Sequence, residues 1–181
     1  HDRIHAHGWL IGLLSIAFGL AQQVLLVAPA AIVYVSVAST DSLLQARAST
    51  AARWMLGLPP ILFGLLHLLA IHVFASIVPH WMRFGNFWAA STGIAFILAG
   101  VAICSGMKDV LAARLLALML LLFAFLIEIP PIFVRLHNQA TGGAAVYNLA
   151  AIGACLIFAE FLTSRAERGR TAPADNAAAS R

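Results

Sequence analysis

Charge is what this chain has least of. Only 10% of its 181 residues are Asp, Glu, Lys or Arg, against 62% hydrophobic, and the mean hydropathy is +0.93. Soluble domains carry about 25% charged and about 45–50% apolar residues, so a soluble globular protein is excluded. The polar sequence left over is too short for a second, soluble domain. Cysteine is scarce too. Cys104 and Cys155 lie inside apolar stretches with no CxxC pair, the pattern of small inert core residues rather than of a redox pair. No G-x-S-x-G, P-loop or HExxH pattern occurs, so the familiar catalytic signatures are missing, and no internal repeat stands out. The formal net charge is +4 and the pI about 9.8. The arginines, however, are spaced singly between apolar runs, as in membrane flanks rather than in a phosphate-binding patch. Nucleic acid is thereby excluded as a partner.

Long hydrophobic runs are what the chain has in plenty, and a spanning helix needs roughly 20 mostly apolar residues. The first run, Gly8 to Ala38, carries no charge and would be about 46 Å long as one helix. No basic n-region with a small-residue cleavage site marks it as a signal peptide. It reads as one spanning helix, kinked or ended around Pro29. A polar connection from Ser39 to Thr50 follows. Further helices are expected at about Ala51–Ser76, Phe87–Ser105, Val110–Ile129 (stopped by Pro130-Pro131) and Ala144–Thr163. The expected fold is an all-α integral membrane bundle of about five transmembrane helices. Its tail, Ser164 to Arg181, is rich in Ala, Arg and Pro without apolar period and is expected to be disordered.

With five spans, one side receives Arg47, Arg53, Lys108, Arg114, Arg165, Arg168, Arg170 and Arg181, and the other Arg3, Arg83 and Arg135. The positive-inside rule then places the C-terminus in the cytoplasm and the N-terminus outside, in a bacterial inner membrane.

Ionisable groups at membrane depth are costly and point to function. His67 lies 14 residues beyond Arg53, and Glu128 lies 14 beyond Arg114. Both therefore rise about 21 Å from the basic side and share a depth. They suit a proton relay or a ligand anchor at a pocket; the alternative is a structural interhelical hydrogen bond, worth about 0.6–2 kcal/mol. His72, near the opposite boundary, is a further ligand candidate or simply a wet histidine. Gly57 and Gly64 fall on nearly one face and suit close helix packing. The loop residues His80, Trp81, Arg83, Asn86 and Trp88 either line a pocket mouth or form an interfacial belt. His1, His5 and His7 invite a metal, but no carboxylate-rich partner set accompanies them, and no metal site is assigned. Haem on His67 or His72 ranks behind a quinone, because it needs a facing ligand. Glu160 is expected to pair with a flanking arginine such as Arg165.

From Arg53 onward the chain resembles the DoxX family of small bacterial membrane proteins. The resemblance rests on Arg53-Trp54-Met55-Leu56-Gly57 leading to Phe63-Gly64-Leu65-Leu66-His67, then on Val78-Pro79-His80-Trp81 and Phe87-Trp88. It continues through Thr92-Gly93-Ile94-Ala95-Phe96-Ile97-Leu98-Ala99-Gly100 and from Leu118-Met119 to Ile129-Pro130. It covers about residues 51–163 and implies a four-helix unit there, preceded by an added helix and its cytoplasmic connection (residues 1–50). Many members carry an acidic residue where this chain has Phe96 and a histidine where it has Glu128.

What the resemblance implies is membrane redox work: a redox-associated subunit with an intramembrane pocket for a quinone or similar hydrophobic molecule. A structural or assembly subunit of a larger membrane complex is the alternative, suggested by the added first helix with Gln22-Gln23. A small enzyme or transporter for a hydrophobic substrate is the third. The expected partners are membrane lipid and either a larger complex or further copies of the chain.

Overall fold

In hydrocarbon, a backbone N–H or C=O without a partner costs several kcal/mol, so apolar runs of this length fold as helices. The computed structural model describes residues 2–38, 41–79, 81–129 and 139–179; side chains at 2–7, 36–38, 42, 128, 139–144 and 170–179 are not among those described. In order, the elements are α1 (Asp2–Ala38), α2 (Ser42–Leu69), α3 (Ile71–Ile77), α4 (Gly85–Ser105), α5 (Asp109–Phe123) with a π-helical turn (Ala124–Glu128), and α6 (Gln139–Ala179). No strand occurs among the described residues. Five helices are long and apolar enough to cross a membrane, at Gly8–Val35, Leu43–Leu69, Gly85–Ser105, Asp109–Ile127 and Ala145–Gly169. The chain is a multi-pass helical membrane protein.

Several boundaries differ from expectation, each for a local reason. α2 begins at Ser42 rather than near Ala51. Asp41 caps it, its Oδ1 accepting the Leu43 N–H at 2.8 Å, and the Leu, Gln, Ala and Arg that follow are good helix formers. At the other end α2 stops at Leu69. Ala70 leaves helical geometry (φ −113°, ψ 40°), and α3 starts afresh instead of completing one helix to Ser76. α6 continues to Ala179, through the segment expected to be disordered. Residues 166–169 there are exposed, so local propensity of Ala, Glu and Arg rather than packing supports this extension.

The helices pack as a ring: α1 on α2, α2 on α4, α4 on α5, α5 on α6, and α6 back on α1. The closest seam joins α2 to α4. A Cβ added at Gly64 would strike the Gly93 carbonyl oxygen, and one at Gly100 would meet the Gly57 oxygen at 2.5 Å and Ile61 Cγ1 at 2.6 Å. Only glycines allow such an approach, and it is worth making because packing drives helix association in lipid. Gly57 and Gly64 thus do share a packing face, with Gly93 and Gly100 as counterparts.

One end of the ring is solid and tied. Leu56, Ile103 and Phe158 are fully buried there. Arg53 on α2 donates from Nε and Nη2 to Asp109 Oδ2 at 2.9 and 2.8 Å, and Asp109 Oδ1 accepts the Val110 N–H. The α4–α5 turn that presents Asp109 uses two left-handed residues, Gly106 (φ 72°) and Lys108 (φ 53°). Arg165 on α6 donates to the Gln45 carbonyl at 2.7 Å. The pairing expected between Glu160 and Arg165 is not made. Glu160 instead accepts from Ser164 Oγ, because one turn separates that pair while Arg165 reaches across to α2. Outward faces carry apolar side chains such as Leu13, Ile16, Leu98 and Leu122, a surface suited to lipid.

Candidate functional site

Away from the tied end, the ring does not close on itself. It surrounds a cavity of about 560 Å³, within the range of about 300–1,000 Å³ common for small-molecule sites. All five spanning helices contribute to its wall. α1 supplies Phe18, Gln22 and Leu25; α2 supplies Pro59, Pro60, Phe63 and His67; and α4 supplies Trp88, Thr92 and Phe96. α5 and its π turn add Leu120, Phe123, Leu126 and Ile127, and α6 adds Tyr147, Asn148, Ala151 and Cys155. Phe74 and Ile77 of α3, with Val78, Pro79 and Met82, cover the far end.

The wall is mainly apolar, with a cluster of aromatic rings on one part of it. Phe18 stacks on Phe63 with ring centroids 4.6 Å apart. Phe63 in turn presents its ring at a steep angle to Phe74 and Phe96, at 5.6 and 5.0 Å, and Phe96 meets Phe123 at 5.9 Å. Such offset and edge contacts are the preferred arrangements of quadrupolar rings. The proline pair serves the same space. Pro59 and Pro60 have no N–H to give the carbonyls of Met55 and Leu56, a gap in the helical ladder that membrane helices accommodate where they line a cavity. α5 also departs from regular α geometry where it lines the cavity, in the π turn Ala124–Glu128. π turns interrupt helices frequently at functional sites.

Within this wall His67 is buried, 5% exposed. Its Nδ1 lies 3.0 Å from the Phe63 carbonyl oxygen one turn back. Its ring stacks on Phe74 at 3.7 Å, nearly parallel, and takes Phe63 edge-on at 4.4 Å. Gly93 makes room for it; a Cβ there would come within 2.8 Å of His67 Cβ. Gln22, Tyr147 and Asn148 add further polar groups to the lining.

Of the residues singled out from sequence, His67 and Trp88 line the cavity. Glu128 belongs to the π turn whose Leu126 and Ile127 line it, so α2 and α5 face the same space at this level; the Glu128 side chain is outside the described set. His72 is exposed on α3, apart from the cavity wall, so it does not share a site with His67. Trp81, Arg83 and Asn86 are also exposed. Arg83 sits over the Phe84 ring at 5.9 Å, and its carbonyl receives the Trp88 Nε1–H at 3.1 Å. Trp81 and Arg83, in the turn before α4, and Asn86, in its first turn, are not among the residues that line the cavity. His80 lies outside the described residues, as do the side chains of His1, His5 and His7.

Sequence reasoning missed the aromatic wall, Tyr147, Asn148 and Thr92. The Phe63–His67 pair at i, i+4 was a usable signal; the rings on other helices offered none. Gln22 lines the cavity. Comparison with known proteins adds nothing to this. No protein family, curated protein or solved structure matches the chain. The chemistry of the cavity therefore carries the functional conclusion.

Proposed function

We propose that this chain is a redox-associated membrane subunit that holds a quinone or similar flat hydrophobic molecule in its central cavity. The observation that supports this most is the wall itself: aromatic rings from several helices around one buried histidine, with Gln22, Tyr147 and Asn148 as further polar lining. Such a wall offers stacking area to a planar ring and a few polar groups to orient it. The redox part rests on the resemblance to the DoxX family, and Phe96, where many members carry an acid, lies in this wall. We place the chain in a bacterial inner membrane, N-terminus outside and C-terminus cytoplasmic. The charge bias of its loops supports this, the tied end with Arg53, Lys108 and Arg165 then facing the cytoplasm.

Mass spectrometry of the organic extract of detergent-purified protein tests the assignment. The expected result is a quinone or another planar hydrophobic molecule near one per chain, lost when Ala151→Phe fills the buried cavity wall. An extract holding bulk lipid alone, the same in both proteins, would refute it.

Assembly into a larger complex is favoured by a separate observation. Among the described residues, nothing lies within 4 Å of a Cβ built on Gly8, Gly12 or Gly19 of α1, and Gln23 is exposed. Under mild detergent the expected species then carries a second chain, and a bare monomer would exclude this role.

A further inference from the structure

The orientation of His67 decides which redox form of a ring the cavity prefers. A backbone carbonyl only accepts hydrogen bonds. The 3.0 Å contact of His67 Nδ1 with the Phe63 oxygen therefore makes Nδ1 the donor and puts the ring proton there. In the neutral imidazole Nε2 is then left with a lone pair and no hydrogen, a pure acceptor. Among the described residues Nε2 has no hydrogen-bond partner, and no carboxylate forms an ion pair with the ring. The ring cannot readily turn over to exchange its two nitrogens. It is clamped flat against Phe74 at 3.7 Å and edge-on by Phe63 at 4.4 Å, and Gly93 is pressed against its Cβ.

We propose that the cavity selects a hydroxyl-bearing aromatic head group, the quinol form of a quinone couple, through its O–H donating to Nε2 of His67. This rests on the cavity being a quinone-type site and adds the form it takes. A quinol hydroxyl brings the proton that Nε2 lacks. A quinone carbonyl brings a second lone pair, leaving two acceptors facing each other within a mostly apolar wall. Sites built to bond one polar group reject the analogue lacking it, because the buried group stays unpaired. The expected preference is about tenfold or more in binding. Tighter binding of the reduced form raises the potential of the bound couple, by about 30 mV for tenfold in a two-electron couple. The bound couple is then poised toward its quinol form.

The test is equilibrium binding of decylubiquinol and decylubiquinone to the detergent-purified protein, the quinol kept reduced by dithionite under argon. Wild-type protein is expected to bind the quinol at least about tenfold more tightly. His67→Phe, which keeps a flat ring against Phe74, is expected to bring the two within about twofold, and His67→Gln, whose amide both donates and accepts, to do the same. Equal binding of both forms by wild type, or tighter binding of the quinone, overturns the inference and leaves the quinone site standing. A quinol preference that survives in both variants removes His67 from the recognition and overturns the inference too. Failure of wild type to bind either form refutes the site itself. Since the wild-type ratio is decisive alone, a variant that does not fold leaves the test intact.

Discussion

Replacing Gly64 by alanine is a sharp test of how the ring is held. In a lone helix the change stabilises by about 0.5–1 kcal/mol, because glycine is the poorer helix former. In this bundle the added methyl carbon would lie against the Gly93 carbonyl oxygen and 2.7 Å from Ile97 Cγ1. Ordinary contact begins near 3.4 Å, so it falls 0.7 Å short even on the flexible side. The other obstacle is α4 backbone, which has no rotamer to yield. Overpacking of this kind costs about 1–3 kcal/mol, and the net expectation is destabilisation by about 1–2 kcal/mol. Unfolding in mixed micelles with rising dodecyl sulfate, followed by helical circular dichroism, measures it. Gly12→Ala on α1, where a Cβ meets nothing, is the control and should be neutral or slightly stabilising. Gly64→Ala combined with Gly93→Ala should cost less than the sum, because both relieve themselves by one separation of α2 from α4. A Gly64→Ala protein as stable as wild type, or Gly12→Ala equally harmful, would refute the close seam.

Other consequences can be measured alongside. Arg53→Ala leaves Asp109, 12% exposed at its side chain, without its guanidinium and should destabilise by about 1–2 kcal/mol; adding Asp109→Ala should recover part of that loss, and strict additivity in the double-mutant cycle would show no coupling. Arg165→Ala removes the bond to the Gln45 carbonyl and should cost about 1 kcal/mol, with Arg165→Lys restoring part of it in the same assay. Phe74→Ala takes away the ring stacked on His67, about 0.5–1.5 kcal/mol of aromatic contact. It should make His67 react faster with diethyl pyrocarbonate, read by mass spectrometry, and an unchanged rate would mean that α3 does not cover the histidine.

Five spans were legible because apolar runs in a membrane have one solution, and their positions followed from hydropathy alone. His67 stood out because an ionisable residue at membrane depth is rare, and Gly57 and Gly64 because seven residues bring a helix back to nearly the same face. The break at Ala70 was hidden, since the surrounding Leu-Leu-Ala-Ile has neither glycine nor proline to mark it. The helical start at Ser42 was hidden for the opposite reason: Ser, Gln and Arg look like a connection until the Asp41 cap is recognised. The site was readable only in part. A phenylalanine on a spanning helix has the same hydropathy whether it faces lipid or a cavity, so Phe18, Phe74, Phe96 and Phe123 declared themselves only when five helices came together. Glu160 and Arg165 show the limit for charges. Sequence spacing made them partners, and a carbonyl two helices away won the arginine.

The glycine seam also sets rules for insertion and deletion. Gly57 faces Gly100 and Gly64 faces Gly93, so the two antiparallel helices are counted off against each other like the teeth of two racks. A residue gained or lost in the connection between them changes neither rack. The same change between 57 and 64, or between 93 and 100, turns one glycine about 100° away from its counterpart and puts a side chain where a backbone must pass. Length variation in this chain is therefore expected in the turn after α3, and to be absent from those two seven-residue intervals.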